Sequence, residues 1–351
     1  MTSPIRVALL GYGLAGAVFH APLIATVEGL ELAAIVTRND ERRSRARREH
    51  PDATLLSSPD EVWERADDLD LVVVAAANRA HVPLARSSIE AGLPVVVDKP
   101  LAPTADEGRS LVREARERGV MLTVFQNRRW DGDFLTVRGL LEEDALGEVA
   151  RFESRFERWR PELSGGWRES GDPQDAGGLL YDLGSHLVDQ ALCLFGPVAQ
   201  VYAELDSRRS GAQTDDDTFV ALRHESRVSS HLWMSVVAAQ PGPRFRVLGS
   251  RAAYVKFGFD VQEELLRGRP HPDDPLFGRE PEDRWGSLGA GDQLRRVPTV
   301  PGAYYRFYEG VVLALREDAP PPVDPDEVVA GLEVLDAARR SASERRVVEL
   351  R

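Results

Sequence analysis

Only two lysines occur in the 351-residue chain, Lys99 and Lys256, against 42 arginines. Lys99 lies between Asp98 and Pro100, just past the apolar run Val95-Val96-Val97. A guanidinium keeps its charge and forks its donors, whereas an ammonium is compact, can lose its proton on burial and can join proton transfer. By position alone Lys99 either does such chemistry or simply ends a strand. The second set of interest lies in DAGGLLYDLGSHLVDQALCLFG, where Asp182 and His186 are four apart. On a helix they share a face, and a carboxylate beside an imidazole is a general-base arrangement. His186 could take the proton of an alcohol while a hydride leaves. The same spacing also fits an exposed pair or a core histidine.

A third cluster fits a dinucleotide. GYGLAG follows the first apolar run and opens a helix, which is the context that gives a GxGxxG pattern meaning. Gly11 permits the tight turn, Gly13 lets backbone approach a pyrophosphate, and Gly16 allows close helix–sheet packing. Leu14 and Ala15 complete the phosphate turn at the helix N-terminus. The second run ends Val36-Thr37-Arg38-Asn39 without the acid that would hold an NAD ribose. A hydroxyl followed by arginine suits a 2′-phosphate, so NADP is favoured over NAD, with Asp40 close enough to serve a ribose instead. The third run ends at Asn78, with His81 opening the next helix. Asn78 is a cofactor candidate or an N-cap; His81 lies on the same edge, and its plainer role is structural.

These residues need a scaffold that brings strand ends together. Apolar runs at 5–10, 32–36, 71–77, 95–97 and 121–125 alternate with amphipathic stretches at 59–65, 81–91 and 105–118. That is the pattern of a doubly wound parallel sheet, an α/β Rossmann domain over residues 1–126. From Val149 onward, period-two segments such as ARFESRFER, TFVALRH and RVSSHLWMSVV predict a largely antiparallel sheet with one face covered. They are interrupted by a helix near 178–195 and followed by one carrying Val328, Val329, Leu332 and Leu335. Residues 127–351 are therefore expected to form an α+β domain that binds substrate. Residues 268–298, rich in Gly, Pro and Asp, predict a long irregular loop.

Composition narrows the function. A net charge of -13 argues against nucleic acid and against an anionic membrane surface. The single cysteine, Cys193, sits in an apolar run and predicts a buried thiol, and no zinc pattern occurs. Thr214–Thr218 and His271-Pro272-Asp273-Asp274 read as turn and loop rather than metal sites. The start MTSPIRVALLGYG carries no secretory pattern, and the apolar runs are too short for a bilayer, so a cytoplasmic protein is expected.

Taken together, GYGLAG, Asp98-Lys99-Pro100 and Tyr181-Asp182-Leu183-Gly184-Ser185-His186 resemble the glucose–fructose oxidoreductase / inositol dehydrogenase / MocA family over nearly the whole chain. Residues 127–131, Trp167-Arg168 and 260–263 are similar to the branch that holds NADP-dependent scyllo-inositol dehydrogenase. The resemblance implies reversible hydride transfer between NAD(P) and a ring carbon of a cyclitol or sugar. It implies that Lys99 bonds the substrate hydroxyl and, with His186, manages its proton, while Asp182 holds substrate or His186. Trp167 and Arg168 would reach toward the cofactor, and an open sheet face would serve a homodimer or homotetramer. Arg128 and Trp130 could bind and stack a polyol, or pack a domain junction. Two departures stand out. Asp98 replaces the usual Glu, which could shift contacts to the lysine or the nicotinamide ribose, and Ala77 stands where a proline often precedes Asn. A non-catalytic sensor and a redox-neutral glycoside-cleaving enzyme are the competing classes; a sensor needs no proton relay.

Overall fold

The computed structural model describes residues 3–268 and 272–350. The chain forms two compact units. The first comprises Met1–Asn127, Gln262–Phe277 and Ala303–Val329; the second comprises Arg128–Val261, Gly278–Gly302 and Ala330–Arg351. The first unit's main segment ends at Asn127, and two later segments of the chain return to that unit.

Six parallel strands form the first unit's sheet: β1 (Ile5–Leu10), β2 (Leu30–Val36), β3 (Thr54–Leu56), β4 (Leu71–Val74), β5 (Val95–Asp98) and β6 (Leu122–Phe125). Their order is β3-β2-β1-β4-β5-β6. Leu71 to Val74 and Val95 to Val97 are wholly buried. Strands covered on both faces need such unbroken apolar runs, which is why no alternation appears there. The order reverses between β1 and β4, and ligands of such sheets bind beyond the strand carboxyl ends at that point. The returning segment Ala303–Val329 packs on this sheet: Phe307, in the helix Tyr305–Glu317, meets Phe125 edge-on at 5.0 Å, and beyond that helix Val323 O accepts from the Thr123 hydroxyl at 2.8 Å.

The second unit's sheet has nine strands: β7 (Val149–Glu157), β8 (Val198–Asp206), β9 (Asp217–His224), β10 (Ser229–Ser235), β11 (Phe245–Gly249), β12 (Ala253–Lys256), β13 (Gly286–Ala290), β14 (Gln293–Val297) and β15 (Val348–Glu349). The order is β14-β13-β12-β11-β7-β10-β9-β8-β15. The sheet is mixed, because β7 and β10 run parallel while the other neighbours are antiparallel.

Two sequence expectations are corrected. Residues 268–298 are not all irregular, since β13 and β14 form a hairpin there. A Cβ at Gly286 would collide with the Tyr254 ring, and one at Gly289 with Gln293 O. Glycines that read as loop punctuation thus permit close strand approach. Cys193 is exposed, because its helix, Ser185–Phe195, buries Leu187, Val188, Ala191 and Phe195 and turns residue 193 outward. In the long helix Pro325–Glu344, Val328, Val329, Leu332 and Leu335 are buried. His271 lies outside the described residues. Among those described, no helix is long and apolar enough to cross a membrane, and no group of three His, Cys, Asp or Glu could hold a metal.

Candidate active site

The glycine turn follows β1. Gly11 has φ +107°, and its N–H donates to Val36 O at 3.0 Å. A Cβ there would lie 2.5 Å from Ala75 O, and one at Gly16 would collide with Gly11 O. Both glycines are therefore required by the protein's own packing. Gly13 differs: a Cβ there meets only the Arg42 guanidinium, at 3.7 Å. Internal packing does not demand that glycine, whereas close approach of a pyrophosphate does, so the turn fits a dinucleotide. Leu14 precedes a π-helical turn, Ala15–His20, which runs into the helix Ala21–Thr26.

Arginines gather at the end of β2. Thr37 is buried, and its N–H donates to Leu56 O at 3.1 Å. Arg43 Nη1 donates to Thr37 O, Leu56 O and Ser57 Oγ, each at 3.1 Å, and so ties the ends of β2 and β3. Exposed Arg38 donates from Nε to Ser57 O at 3.0 Å. Asn39 caps the helix Asp40–Glu49 by accepting from Arg42 N–H at 2.9 Å, and that helix carries Arg42 to the glycine turn. Sequence reading missed Arg42. Its only local signal is a place in the first turn of the helix after Thr37-Arg38, and the contact with Gly13 is tertiary.

Further along the same sheet edge, buried Asn78 begins a 3-10 turn, Asn78–Ala80, whose cap position is Ala77. His81 is buried, with Nδ1 2.8 Å from Pro100 O and Nε2 3.2 Å from Ala76 O. It staples the Lys99–Pro100 segment to the loop after β4, and burial, outweighing the pull of Asp98, pushes its pKa down. The Lys99–Pro100 bond is cis, and Lys99 is half-buried. Asp98 Oδ1 accepts the Lys99 backbone N–H at 2.8 Å, and Oδ2 lies 3.8 Å from His20 Nε2. Burial by itself would raise the Asp98 carboxyl, but His20, His81 and Lys99 together hold it below the usual carboxylate range.

In the second unit, a loop glycine and a half-buried acid shape the other candidate group. Gly178 has φ +92°, and a Cβ there would collide with Asp215. Asp215 Oδ2 accepts from Leu180 N–H at 2.8 Å and from the Thr218 hydroxyl at 2.7 Å. Asp215 thus anchors the start of the helical segment, while Asp216 pairs with Arg209 at 2.9 Å. The segment opens with a π turn, Leu180–Gly184, before the helix Ser185–Phe195. Asp182 accepts from Arg168 Nε at 3.0 Å, and His186 is buried at the start of the helix. Trp167 begins the 3-10 turn that carries Arg168, but its side chain lies outside the described set.

The same helix is pinned to Arg128 and Arg129. Gln190 Nε2 donates to Arg128 O at 2.9 Å, and Arg129 forks onto Asp189 at 2.9 and 2.7 Å. Arg128 is buried, with its guanidinium 4.7 Å from the Phe156 ring centre and 3.3 Å from Asp131. Arg244 lies 4.5 Å from that ring. Cation–π and ion-pair contacts thus hold Arg128 inside this unit, while Trp130 is half-exposed.

The chain resembles known proteins along its whole length. Residues 5–126 match the model of the oxidoreductase family with an NAD-binding Rossmann fold, and residues 134–255 match the GFO/IDH/MocA C-terminal domain. It is 40% identical to the uncharacterized oxidoreductase YdgJ of Escherichia coli, covering 98% of each chain. It is 34% identical to scyllo-inositol 2-dehydrogenase (NADP(+)) IolW of Bacillus subtilis, covering 99% of this chain and 96% of that one. The solved structure of the Bacillus subtilis protein yvaA superposes with a TM-score of 0.94 at 34% identity, covering 99% of each chain. With a glycine turn that fits a dinucleotide and family matches to both of its parts, this chain belongs to the GFO/IDH/MocA family of oxidoreductases and is a dehydrogenase with an NAD-binding Rossmann domain.

Proposed function

We propose that the enzyme interconverts a ring hydroxyl and the corresponding ketone of a cyclitol or sugar, with NADP as its preferred cofactor. The observation that carries this reading is one sheet edge that holds the glycine turn, Lys99, and the Arg38–Arg42 pair. The relative described as an NADP(+)-dependent scyllo-inositol 2-dehydrogenase supports the substrate class and the cofactor. Gly11 to Gly16 would hold the pyrophosphate, and Thr37, Arg38 and Arg42 the 2′-phosphate. Asn78 and Asp98 would line the nicotinamide end. When bound, the cofactor supplies the hydride acceptor.

The chain's own groups handle orientation and the proton. Lys99 donates to the substrate hydroxyl oxygen and stabilises charge as the proton leaves. His186 accepts that proton, and returns it when a ketone is reduced. Arg168 holds the Asp182 carboxylate at 3.0 Å, which presents a fixed acceptor for substrate hydroxyls or for the imidazole. Arg128, locked against Phe156, and Trp130 would bound the polyol. The outer face of the second sheet carries Phe219, His231 and Trp233 in mutual ring contact, and we assign it to self-association as a dimer or tetramer.

The test is initial-rate absorbance with NADP and with NAD over inositols, aldoses and polyols. A rate with a cyclitol and a higher kcat/KM for NADP is expected. Tight cofactor binding with no redox change on any substrate would overturn the reading in favour of redox-neutral glycoside cleavage or sensing.

A further inference from the structure

Two buried titratable side chains, His20 and Tyr308, have no part in the chemistry above. His20 ends the π turn that follows the glycine motif and is wholly buried, as is Tyr308 on the helix Tyr305–Glu317. His20 Nδ1 lies 2.6 Å from the Tyr308 hydroxyl, and His20 Nε2 lies 3.8 Å from Asp98 Oδ2. The Phe125 ring, 4.4 Å away between centres, closes an apolar side of the imidazole. Asp98 Oδ1 in turn accepts the Lys99 backbone N–H. Tyr308 and His20 are 288 residues apart in sequence.

We propose that Tyr308, His20 and Asp98 form a buried relay that positions Lys99: the Tyr308 hydroxyl donates to His20 Nδ1, Nε2–H faces Asp98 Oδ2, and Asp98 Oδ1 holds the Lys99 main chain. The role given to Lys99 rests on the function proposed above. The tautomer follows from donor accounting. A neutral imidazole has one N–H. If Nδ1 carried it, the Nε2 lone pair would face a carboxylate and the phenol proton would need another acceptor. With Nε2 protonated, each group faces one of opposite kind. Burial, reinforced by the charge of Asp98, raises the Tyr308 pKa well above its ordinary value, so the phenol keeps its proton and remains a donor. At 3.8 Å the His20–Asp98 contact is longer than a direct hydrogen bond and acts through charge and dipole. Besides His20 and Tyr308, the titratable groups around Asp98 are His81, from the helix His81–Glu90, and the adjacent Lys99. His20 and Tyr308 would be positioning residues, since they act on substrate only through Asp98 and Lys99.

Two measurements decide it. Long-range 1H–15N correlation on the cofactor-free protein reads the His20 tautomer directly, assigned by loss of its peaks in His20→Gln. The Nε2–H form is expected in wild type, and a mixed population in Tyr308→Phe. An Nδ1–H form in wild type overturns the proposal. Second, His20→Gln places an amide where Nε2 stood, and His20→Asn places one where Nδ1 stood. kcat is expected to fall roughly tenfold or more in His20→Asn with KM for NADP nearly unchanged, and to recover within about threefold in His20→Gln. Equal losses in both variants would mean simple packing and overturn it. If no substrate is turned over, the functional reading fails, and the tautomer still decides the relay.

Discussion

Replacing Gly13 by alanine tests the cofactor turn at the position where folding and binding demands separate. The new methyl would meet only Arg42 Nη1, at 3.7 Å, which is ordinary van der Waals contact with the end of a flexible side chain. Apo stability should therefore hold, or rise by about 0.4–1 kcal/mol as the unfolded chain loses freedom. Gly11→Ala is the contrast. Its φ of +107° and the 2.5 Å approach to Ala75 O impose strain of about 1–3 kcal/mol before any clash is relieved. For a bound dinucleotide the order reverses. A methyl at residue 13 holds the pyrophosphate off the backbone and forfeits at least one charge-assisted hydrogen bond, about 1.5–3 kcal/mol. That is roughly a ten- to hundredfold rise in Kd. The assay pairs apo thermal unfolding with an NADPH fluorescence titration. Wild-type Kd in Gly13→Ala would refute the placement of the phosphate. A drop in melting temperature as large as that of Gly11→Ala would refute the claim that only a ligand needs this glycine.

Other perturbations probe the remaining assignments. Lys99→Met should lower turnover at least about a hundredfold while NADPH still binds, and near-normal rates would remove Lys99 from the chemistry. Arg38→Ala combined with Arg42→Ala should cut the kcat/KM preference for NADP over NAD about tenfold or more, read from paired initial rates. Lys256→Met should destabilise by about 3–5 kcal/mol in chemical denaturation, because it strands the Glu280 carboxylate that Lys256 meets at 2.8 Å with both side chains buried. Asp98 governs an acid-side effect. Its folded pKa lies below its unfolded value of about 3.9, so its stabilisation is complete above that value and is lost as pH falls through the folded pKa. Asp98→Asn should flatten the fall of melting temperature in that acid window, and an unchanged slope would contradict the assignment.

Local physics made much of this protein legible in its sequence. The run IRVALL, followed by GYGLAG, specifies strand, turn and helix within a dozen residues, because strand burial and glycine conformation are near-neighbour properties. The continuous valines of β4 and β5 announce strands covered on both faces, and the alternation in TFVALRH and RVSSHLWMSVV announces a sheet with one buried face. A dehydrogenase was legible too, since Lys99 and His186 fall within short recognisable motifs. Tertiary structure decided what depends on distant partners. Gly286 and Gly289 read as loop until Tyr254 and Gln293 are brought against them. The helix Tyr305–Glu317 joins the first sheet through contacts with residues far away in sequence, Phe307 with Phe125 and Tyr308 with His20 among them. Arg42 joins the glycine turn through the fold of one helix, and His20 meets the hydroxyl of a tyrosine 288 residues away. Sequence periodicity reports which face of an element is apolar; it carries no information on which remote side chain will lie against that face, and that choice sets the hydrogen bonds around Lys99.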